Sequence, residues 1–516
     1  MEHHVTLILG LSVLLGVAFA ALGILHSRRG TVDFESFISY RNSSGLGVAV
    51  ASIVASIAGA WILFSPAETG SWAGISGVVG YGVGQGMPIL VLVVFGARLR
   101  KIMPRGYSFS GFIEKRYGAL MGRFTALLMI FYMFTFLTAE LTGIAEAFLL
   151  ITKVPLLVTA FGVMVLTLIY TAYGGLRSSI FTDFLQFVLI VPLLIVIFVA
   201  ALLYLNGVGG WDGTGAEAAV LGEASSRLWN PVFRPGVEFA LSLVIAVTAA
   251  NIFHQGFWQR VYSCRTTSVM RRAFLIAGLI TIPVIVLMGL FGIFAAERGW
   301  VAEGQASTAL FALLLRLPPW VVVLALVFGL VLVMSSADTL INGIVSILVT
   351  WRGTGSASDA AEGTAGARSA APDDAAAAAA PEATSTARLG GGALGRARVL
   401  TVVIAALAVV IASRGYSVLY IFLVADLVCS AAVFPALYGL YATRLTGAGA
   451  LIASAAGLAA GALFFPAPDF TSWSGLPANT LYAFAAALLV AAVLSILFNH
   501  VFRLGTGADM DFRPQA

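Results

Sequence analysis

Charged side chains are scarce in this chain, and their scarcity excludes a soluble globular protein. Only 10% of its 516 residues are Asp, Glu, Lys or Arg, whereas 60% are hydrophobic. A soluble domain carries about a quarter charged residues. The net charge of +5 does not indicate a nucleic-acid partner, because the basic residues cluster beside helix ends rather than in one patch. We therefore predict an all-α protein embedded in a lipid bilayer.

Cysteine and histidine are also rare, which limits the chemistry that the chain can perform. Cys264 and Cys429 fall on segments predicted at the cytoplasmic side or inside the membrane, so we expect free thiols. Of the five histidines, only His254 lies within a predicted bundle of helices. No HExxH, GxSxG, phosphate-loop or paired-cysteine motif occurs. We predict that the protein is not an enzyme; a membrane-embedded sensor or a channel remains as a competing class.

Long apolar runs, in contrast, are abundant. A helix needs about 20 apolar residues to cross a hydrocarbon core of about 30 Å. On that basis the sequence predicts thirteen crossings. They lie near residues 5–25, 46–67, 73–97, 120–151, 154–173, 179–205, 237–258, 271–296, 318–350, 397–413, 416–441, 447–465 and 479–503.

The positions of the basic residues indicate how these crossings are oriented. Cytoplasmic loops are enriched in lysine and arginine. With the amino end outside, all but six of the 29 basic residues fall on the cytoplasmic side, and an odd number of crossings places the carboxyl end there too. The six exceptions are Lys153, Arg227, Arg234, Arg298, Arg316 and Arg414. We predict a multi-pass protein of the inner (plasma) membrane.

The first crossing is predicted to be retained rather than cleaved as a signal peptide. No lysine or arginine precedes it, whereas Arg28 and Arg29 follow it. A signal peptide carries its positive charge at the front.

Two regions lack the composition of a membrane segment. Residues 206–236 predict an outside loop, and residues 353–395, which are rich in Ala, Gly, Thr and Ser, predict a disordered cytoplasmic loop. A shorter apolar stretch at 304–316 predicts an outside helix that lies along the protein.

Between the second and eleventh crossings lie ten helices, which divide into two sets of five. The first helix of each set carries small or polar residues that predict a break, within Ala55 to Trp61 and within Thr248 to Trp258. Corresponding interrupted helices in two halves are typical of inverted-repeat transporters, where they form the central site. The predicted divisions are a first helix and link at 1–45, a first repeat at 46–205, the loop at 206–236, a second repeat at 237–441, and two further helices with a short tail at 442–516.

Four motifs in order give the chain its resemblance to a known family. They are Tyr173-Gly174-Gly175-Leu176 through Thr182-Asp183 and Gln186, the small-residue stretch Ser52 to Trp61, Gln259-Arg260, and Met334-Ser335-Ser336. The chain resembles the sodium:solute symporter family. The resemblance implies a LeuT-like core of ten helices. It also implies that the protein is a sodium-coupled symporter that imports a small polar organic solute by alternating access.

The resemblance also implies the residues of a main sodium site, with sodium as the coupling ion. By position, these are the backbone carbonyls of Ala55, Ala58 and Leu332 and the hydroxyls of Ser335 and Ser336. Sodium is a hard cation that prefers oxygen ligands, and this set offers five neutral oxygens.

A second cation site is implied at Asp183, Ser335, Asp338 and Thr339. Ser335, Asp338 and Thr339 share one helical face because their spacing is i, i+3 and i+4. Asp338 stands where the family usually has serine. If both acids line one cavity, their repulsion requires a cation, a shared proton or a basic partner.

The solute is expected beside the two helix breaks. The predicted bundle contains several acids, and the sequence places no arginine within a broken helix that could clamp a carboxylate. A neutral hydrogen-bonding solute or a cationic amine is therefore favoured over a carboxylate. The stretch from His254 to Arg260 and the acid at 426 are similar to the urea and polyamine branch of the family, and a proton-coupled carrier is a further alternative. Beyond lipid and solute, no protein partner is indicated. The candidate lining residues are Trp61, Glu68, Glu140, Asn251, His254, Gln255, Trp258 and Asp426.

Overall fold

The computed structural model describes residues 2–28, 33–207, 226–301, 306–351, 382–414, 418–467 and 472–501. Within these ranges the chain is helical, and the strand-like pairing is limited to one isolated bridge between Ser44 and Cys264. The all-α prediction is therefore confirmed.

Sixteen α-helices and two short 3-10 helices make up the described fold. In chain order the α-helices are α1 (Glu2–Arg28), α2 (Phe34–Ile38), α3 (Leu46–Ile57), α4 (Ser65–Ile102), α5 (Phe109–Tyr117), α6 (Ala119–Thr152), α7 (Leu156–Gly207), α8 (Arg234–Ile252), α9 (Gln255–Ser263), α10 (Thr267–Glu297), α11 (Ala309–Leu314), α12 (Pro319–Trp351), α13 (Glu382–Ala412), α14 (Val418–Tyr438), α15 (Gly447–Ala462) and α16 (Thr480–His500). The 3-10 helices are Ala60–Leu63 and Ala306–Thr308.

Nine of the described helices are long and apolar enough to cross a membrane, and three shorter apolar helices accompany them. The longest, α7, has 52 residues. At 1.5 Å per residue it would be about 78 Å long if straight, more than twice the hydrocarbon thickness. It therefore holds two of the predicted crossings. The total of thirteen and the orientation of the termini stay predictions.

Two glycines with positive φ turn the long helices. Gly175 (φ 57°) bends α7 within the predicted turn motif, and Gly74 (φ 66°) bends α4. A Cβ at Gly175 would overlap Phe37 of α2, and one at Gly74 would overlap the main chain of Leu228. Both positions therefore require glycine on two grounds, backbone conformation and space.

The two predicted helix breaks are confirmed. The first lies between α3 and the 3-10 helix Ala60–Leu63, where Ala58 and Gly59 are extended. The second lies between α8 and α9, at Phe253 and His254. Each break interrupts the first helix of its predicted set of five.

The surface segments follow the sequence in part. The apolar stretch predicted at 304–316 forms the 3-10 helix Ala306–Thr308 and α11, which buries Leu310, Phe311 and Leu314. Residues 208–225 of the predicted outside loop and 352–381 of the predicted cytoplasmic loop lie outside the described residues. The helix α13 begins at Glu382, inside the stretch predicted as disordered up to 395.

Basic residues predicted on one side of the membrane meet in the structure. Arg41 donates to the carbonyls of Pro104 and Gly106, and Arg100 donates to Val261. On the side predicted to be outside, the guanidinium groups of Arg298 and Arg316 both lie near the ring of Trp300. Each of these two groups of contacts joins residues that the charge pattern places on the same side of the membrane.

Candidate cation and solute site

A carboxyl group from α6 accepts a hydrogen bond from the main chain at the first helix break. Glu140 is fully buried, and its carboxylate accepts hydrogen bonds from the main-chain N–H of Ala60 and from the Ser336 hydroxyl (2.9 Å). Ala60 follows the extended residues Ala58 and Gly59. A break exposes main-chain groups that lack helical partners, and here one of them is bound across the bundle. Through Glu140, α12 is connected to the break in the first core helix.

The five residues predicted for the main sodium site are all buried. Ala55, Leu332, Ser335 and Ser336 have no exposed surface, and Ala58 is 2% exposed. Ser336 donates to Glu140, the residue that binds the first helix break, whereas Ser335 donates to Asp183 (2.6 Å). The two neighbouring serines therefore donate to two different carboxylates, Ser335 to Asp183 and Ser336 to Glu140. The sequence alone did not indicate this.

The acid of the predicted turn motif has a basic partner. Asp183 Oδ2 lies 2.7 Å from Arg260 Nη2, and both side chains are completely buried. The carboxylate also accepts hydrogen bonds from Ser52 (2.6 Å) and Ser335 (2.6 Å). A second bond from Arg260 Nη2 reaches the Thr339 hydroxyl (2.7 Å). The guanidinium thus contacts two of the four residues predicted for a second cation site.

Asp338 lies beside this ion pair but is held by hydroxyl groups. Ser179 donates to its Oδ1 at 2.6 Å, and Thr339 and Thr182 lie at 3.3 Å and 3.4 Å. The structure therefore brings Asp183, Ser335, Asp338 and Thr339 together, as the second site requires. A basic residue, one of the three charge partners predicted for the two acids, thus lies beside Asp183.

The expectation that no arginine lies in a broken helix was wrong. Arg260 belongs to α9, the second half of the broken helix, and it folds back across the bundle to Asp183. Sequence spacing did not reveal this, because the arginine stands at the end of the predicted crossing, where a cytoplasmic position is usual. The guanidinium is saturated by protein groups, since Nε also donates to Ser52 (3.1 Å).

A second cluster combines aromatic rings with Asp426, and we call it the aromatic cluster. Trp61 packs on Tyr81 with ring centroids 5.6 Å apart, while His254 packs near Tyr132 (6.5 Å) and Phe136 (6.0 Å). Asp426 of α14 interacts electrostatically with both Tyr81 and Tyr132. Glu68 also acts electrostatically on Tyr81. The aromatic cluster consists of Trp61, Tyr81, Tyr132, Phe136, His254, Phe422 and Asp426.

Asn251 and His254, at the second break, each have one buried side-chain atom without a hydrogen-bond partner. The Asn251 amide donates to Val247 but its Oδ1 is buried without a partner. His254 Nδ1 accepts from the Gly256 N–H, while Nε2 is buried without a partner.

Two of the candidate solute residues instead use their polar side-chain groups in hydrogen bonds within the protein. The Gln255 amide donates to the Tyr107 carbonyl (2.7 Å). The Trp258 indole donates to the Ile252 carbonyl (2.7 Å) and stacks on Phe109 at 4.5 Å. Both side chains support the short helix α5, and we assign them no solute contact.

Comparison with known proteins agrees with this architecture. A model of the sodium:solute symporter family matches residues 37–350, more than half of the chain. The chain belongs to the sodium:solute symporter family. The predicted membership is therefore confirmed, and the matched range includes both helix breaks, Asp183 and the serines of α12.

Solved structures of transporters share the fold. The substrate-bound, outward-open state of a Na+-coupled sialic acid symporter superposes with a TM-score of 0.72 at 12% identity, covering 98% of this chain and 99% of that one. The transporter Mhp1, of the nucleobase-cation-symport-1 family, in a closed conformation with bromovinylhydantoin bound, gives a TM-score of 0.54 at 15% identity, with 90% and 95% covered. The LeuT-like core implied by the resemblance is thereby confirmed.

Relatives by sequence include carriers of different solutes. A spermidine transporter of Candida albicans is 28% identical over 61% of this chain and 59% of its own length. A probable urea active transporter of Schizosaccharomyces pombe is 23% identical, over 51% of this chain and 41% of its own length. A sodium/glucose cotransporter of Vibrio parahaemolyticus is 26% identical, with 46% of each chain covered. The chain thus spans about half the length of these relatives.

Proposed function

We propose that the protein is a sodium-coupled symporter that moves a small organic solute into the cell by alternating access across the plasma membrane. The observation that carries this proposal is the junction at the first break, where Ser336 of α12 reaches the main chain at Ala60 through Glu140. The main-chain carbonyls of Ala55 and Ala58, together with the serine hydroxyls, would supply the oxygen ligands that a hard monovalent cation prefers. Family membership and the LeuT-like fold support the same function.

The membrane potential is sufficient to drive such transport. Moving one positive charge inward through about 100 mV yields about 2.3 kcal/mol. Because each tenfold ratio corresponds to about 1.4 kcal/mol, one sodium ion supports roughly a fifty-fold solute gradient from the potential alone.

For the solute, we propose an organic cation of the amine class. Asp426 acts electrostatically on Tyr81 and Tyr132 of the aromatic cluster and forms no ion pair with the described residues. Aromatic faces and a carboxylate in a dry site together attract ammonium groups. Glu68, which also acts electrostatically on Tyr81, offers a second acid, which suits a solute with two amino groups. The spermidine and probable urea carriers among the relatives are in keeping with a nitrogen-rich solute.

The proposal is tested by ligand-dependent stability of the purified protein. Thermal unfolding is measured in sodium chloride and in choline chloride, with diamines, polyamines, ureas, sugars and amino acids added in turn. A ligand that binds the folded state raises its stability according to its affinity. We expect sodium to stabilise the protein and an amine to add to that effect. Stabilisation by a carboxylic acid alone would overturn the solute class, and uptake into proteoliposomes without sodium dependence would overturn the coupling.

A further inference from the structure

The carboxyl group of Glu140 has no charged partner. Its side chain is fully buried in the middle of α6, and it forms no ion pair with the described residues. Oε2 accepts both hydrogen bonds, whereas Oε1 is buried without any partner. A buried carboxylate is costly unless it is paired with a cation and hydrogen-bonded. Two hydrogen bonds to neutral groups leave this carboxylate incompletely compensated.

The local backbone allows the carboxyl group to approach the break closely. Gly59 is extended, and a Cβ placed there would overlap both oxygens of Glu140. The absence of a side chain at residue 59 thus brings a charged oxygen against the main chain that follows Ala58. The same carboxyl group contacts Ser336. Residues on both sides of the main cation site, α3 and α12, therefore lie next to Glu140.

We propose that Glu140 is a charged ligand of the coupling cation, with its unpartnered Oε1 completing the five neutral oxygens of the main site. This inference rests on the proposed function. It assigns to α6 a part in cation binding, in addition to α3 and α12. A cation at this position would provide the counter-charge that the buried carboxylate lacks.

With the cation bound, Glu140, the break and Ser336 are held together by one positive charge. After the cation leaves, the uncompensated carboxylate favours entry of water or of another cation, and the contact between α6, α12 and the break weakens. Cation release and loosening of this junction are thus linked through one side chain.

The test compares sodium-dependent stability in Glu140→Gln and in the unaltered protein. Glutamine keeps an oxygen that accepts from Ala60 and removes the charge. Sodium chloride is titrated against choline chloride at constant ionic strength, without solute, and the unfolding temperature is recorded. We expect the sodium concentration at half-maximal stabilisation to rise at least tenfold in Glu140→Gln. In choline alone the variant should be as stable as the unaltered protein or more so, because it buries no unpaired charge.

Control variants separate charge from structure. Glu146→Gln removes a half-buried acid from the same helix and should leave the sodium midpoint unchanged. Glu140→Asp keeps the charge on a shorter side chain and should retain more sodium dependence than Glu140→Gln, which also provides a readout if the glutamine variant does not fold. An unaltered sodium midpoint in Glu140→Gln, with normal sodium stabilisation of the native protein, would overturn the role of Glu140 alone. Failure of sodium to stabilise the native protein would overturn the proposed coupling as well.

Discussion

Burial of the Arg260 guanidinium is tolerated because every charge beside it is paired or hydrogen-bonded. Its Nη2 contacts Asp183 and Thr339, and its Nε contacts Ser52. Removing one member of a buried pair leaves an uncompensated charge, which typically costs about 3–5 kcal/mol. Replacing both members by neutral residues of similar size can be nearly neutral. The pair therefore holds α7 and α9 together only while both members remain.

We predict that Arg260→Met lowers the unfolding temperature strongly, and that adding Asp183→Asn restores part of the loss. Thermal unfolding in detergent measures both. Arg234→Ala serves as the control, since it breaks an ion pair whose arginine side chain is 83% exposed and should cost less than about 1 kcal/mol. If Arg260→Met were as mild as Arg234→Ala, the buried pair would not support the fold.

Asp338 is the acid left without a basic partner in this region. Its oxygens are held by hydroxyls of Ser179, Thr182 and Thr339. We expect a second cation to bind at the Asp338 carboxylate rather than at Asp183, because the Arg260 guanidinium already neutralises Asp183. The Hill coefficient for sodium in uptake assays should then exceed one and fall toward one in Asp338→Ala. A coefficient near one in the native protein that Asp338→Ala leaves unaltered would contradict the second site.

At this scale, the sequence predicted which residues are buried and polar but not how they pair. Asp183, Ser335 and Ser336 were recognised from motifs, and the structure places all three in the polar core. The Arg260 and Glu140 contacts span 77 and 196 positions along the chain. Pairing over such separations depends on how the helices pack, which local spacing does not encode.

Individual helices were predicted best where turn residues mark their ends. The segment predicted at 120–151 is α6 (Ala119–Thr152), bounded by Gly118 and Lys153, which both have positive φ. The boundary in α7 was predicted from two adjacent glycines, and Gly175 alone makes the turn. The start of α13 was placed too late, because the prediction followed the apolar run, which begins only after Arg398.

We predict that Gly175→Ala destabilises the protein, since alanine is strained at φ 57° and its Cβ would overlap Phe37. Gly162→Ala in the same helix is the matched control. No heavy atom lies within 4 Å of a Cβ there, so alanine should be neutral or stabilising by up to about 1 kcal/mol. Unfolding temperatures of the two variants provide the comparison. Equal effects would mean that the turn at residue 175 is not required for folding.

For the whole molecule, loops that the positions of the basic residues place on the same side of the membrane lie close together in the structure. Arg41 and Arg100 meet at one end of the bundle, and Arg298 and Arg316 meet around Trp300. The charge rule then assigns the end with more lysine and arginine to the cytoplasm. Helix packing determines how the crossings are arranged. Which end of the bundle faces the cytoplasm depends on the distribution of lysine and arginine between the two ends.

Cysteine labelling of two exposed lysine positions tests that orientation. In sealed right-side-out vesicles, we expect a membrane-impermeant maleimide to label Lys153→Cys at once, and Lys101→Cys only after permeabilisation. The native thiols provide the background control. Cys264 and Cys429 are both free and buried, and burial raises the pKa of the Cys264 thiol to about 12, so little of the reactive thiolate forms. Labelling of Lys101→Cys in sealed vesicles, with Lys153→Cys protected, would place the amino end in the cytoplasm. The orientation that the charge rule assigns would then be wrong.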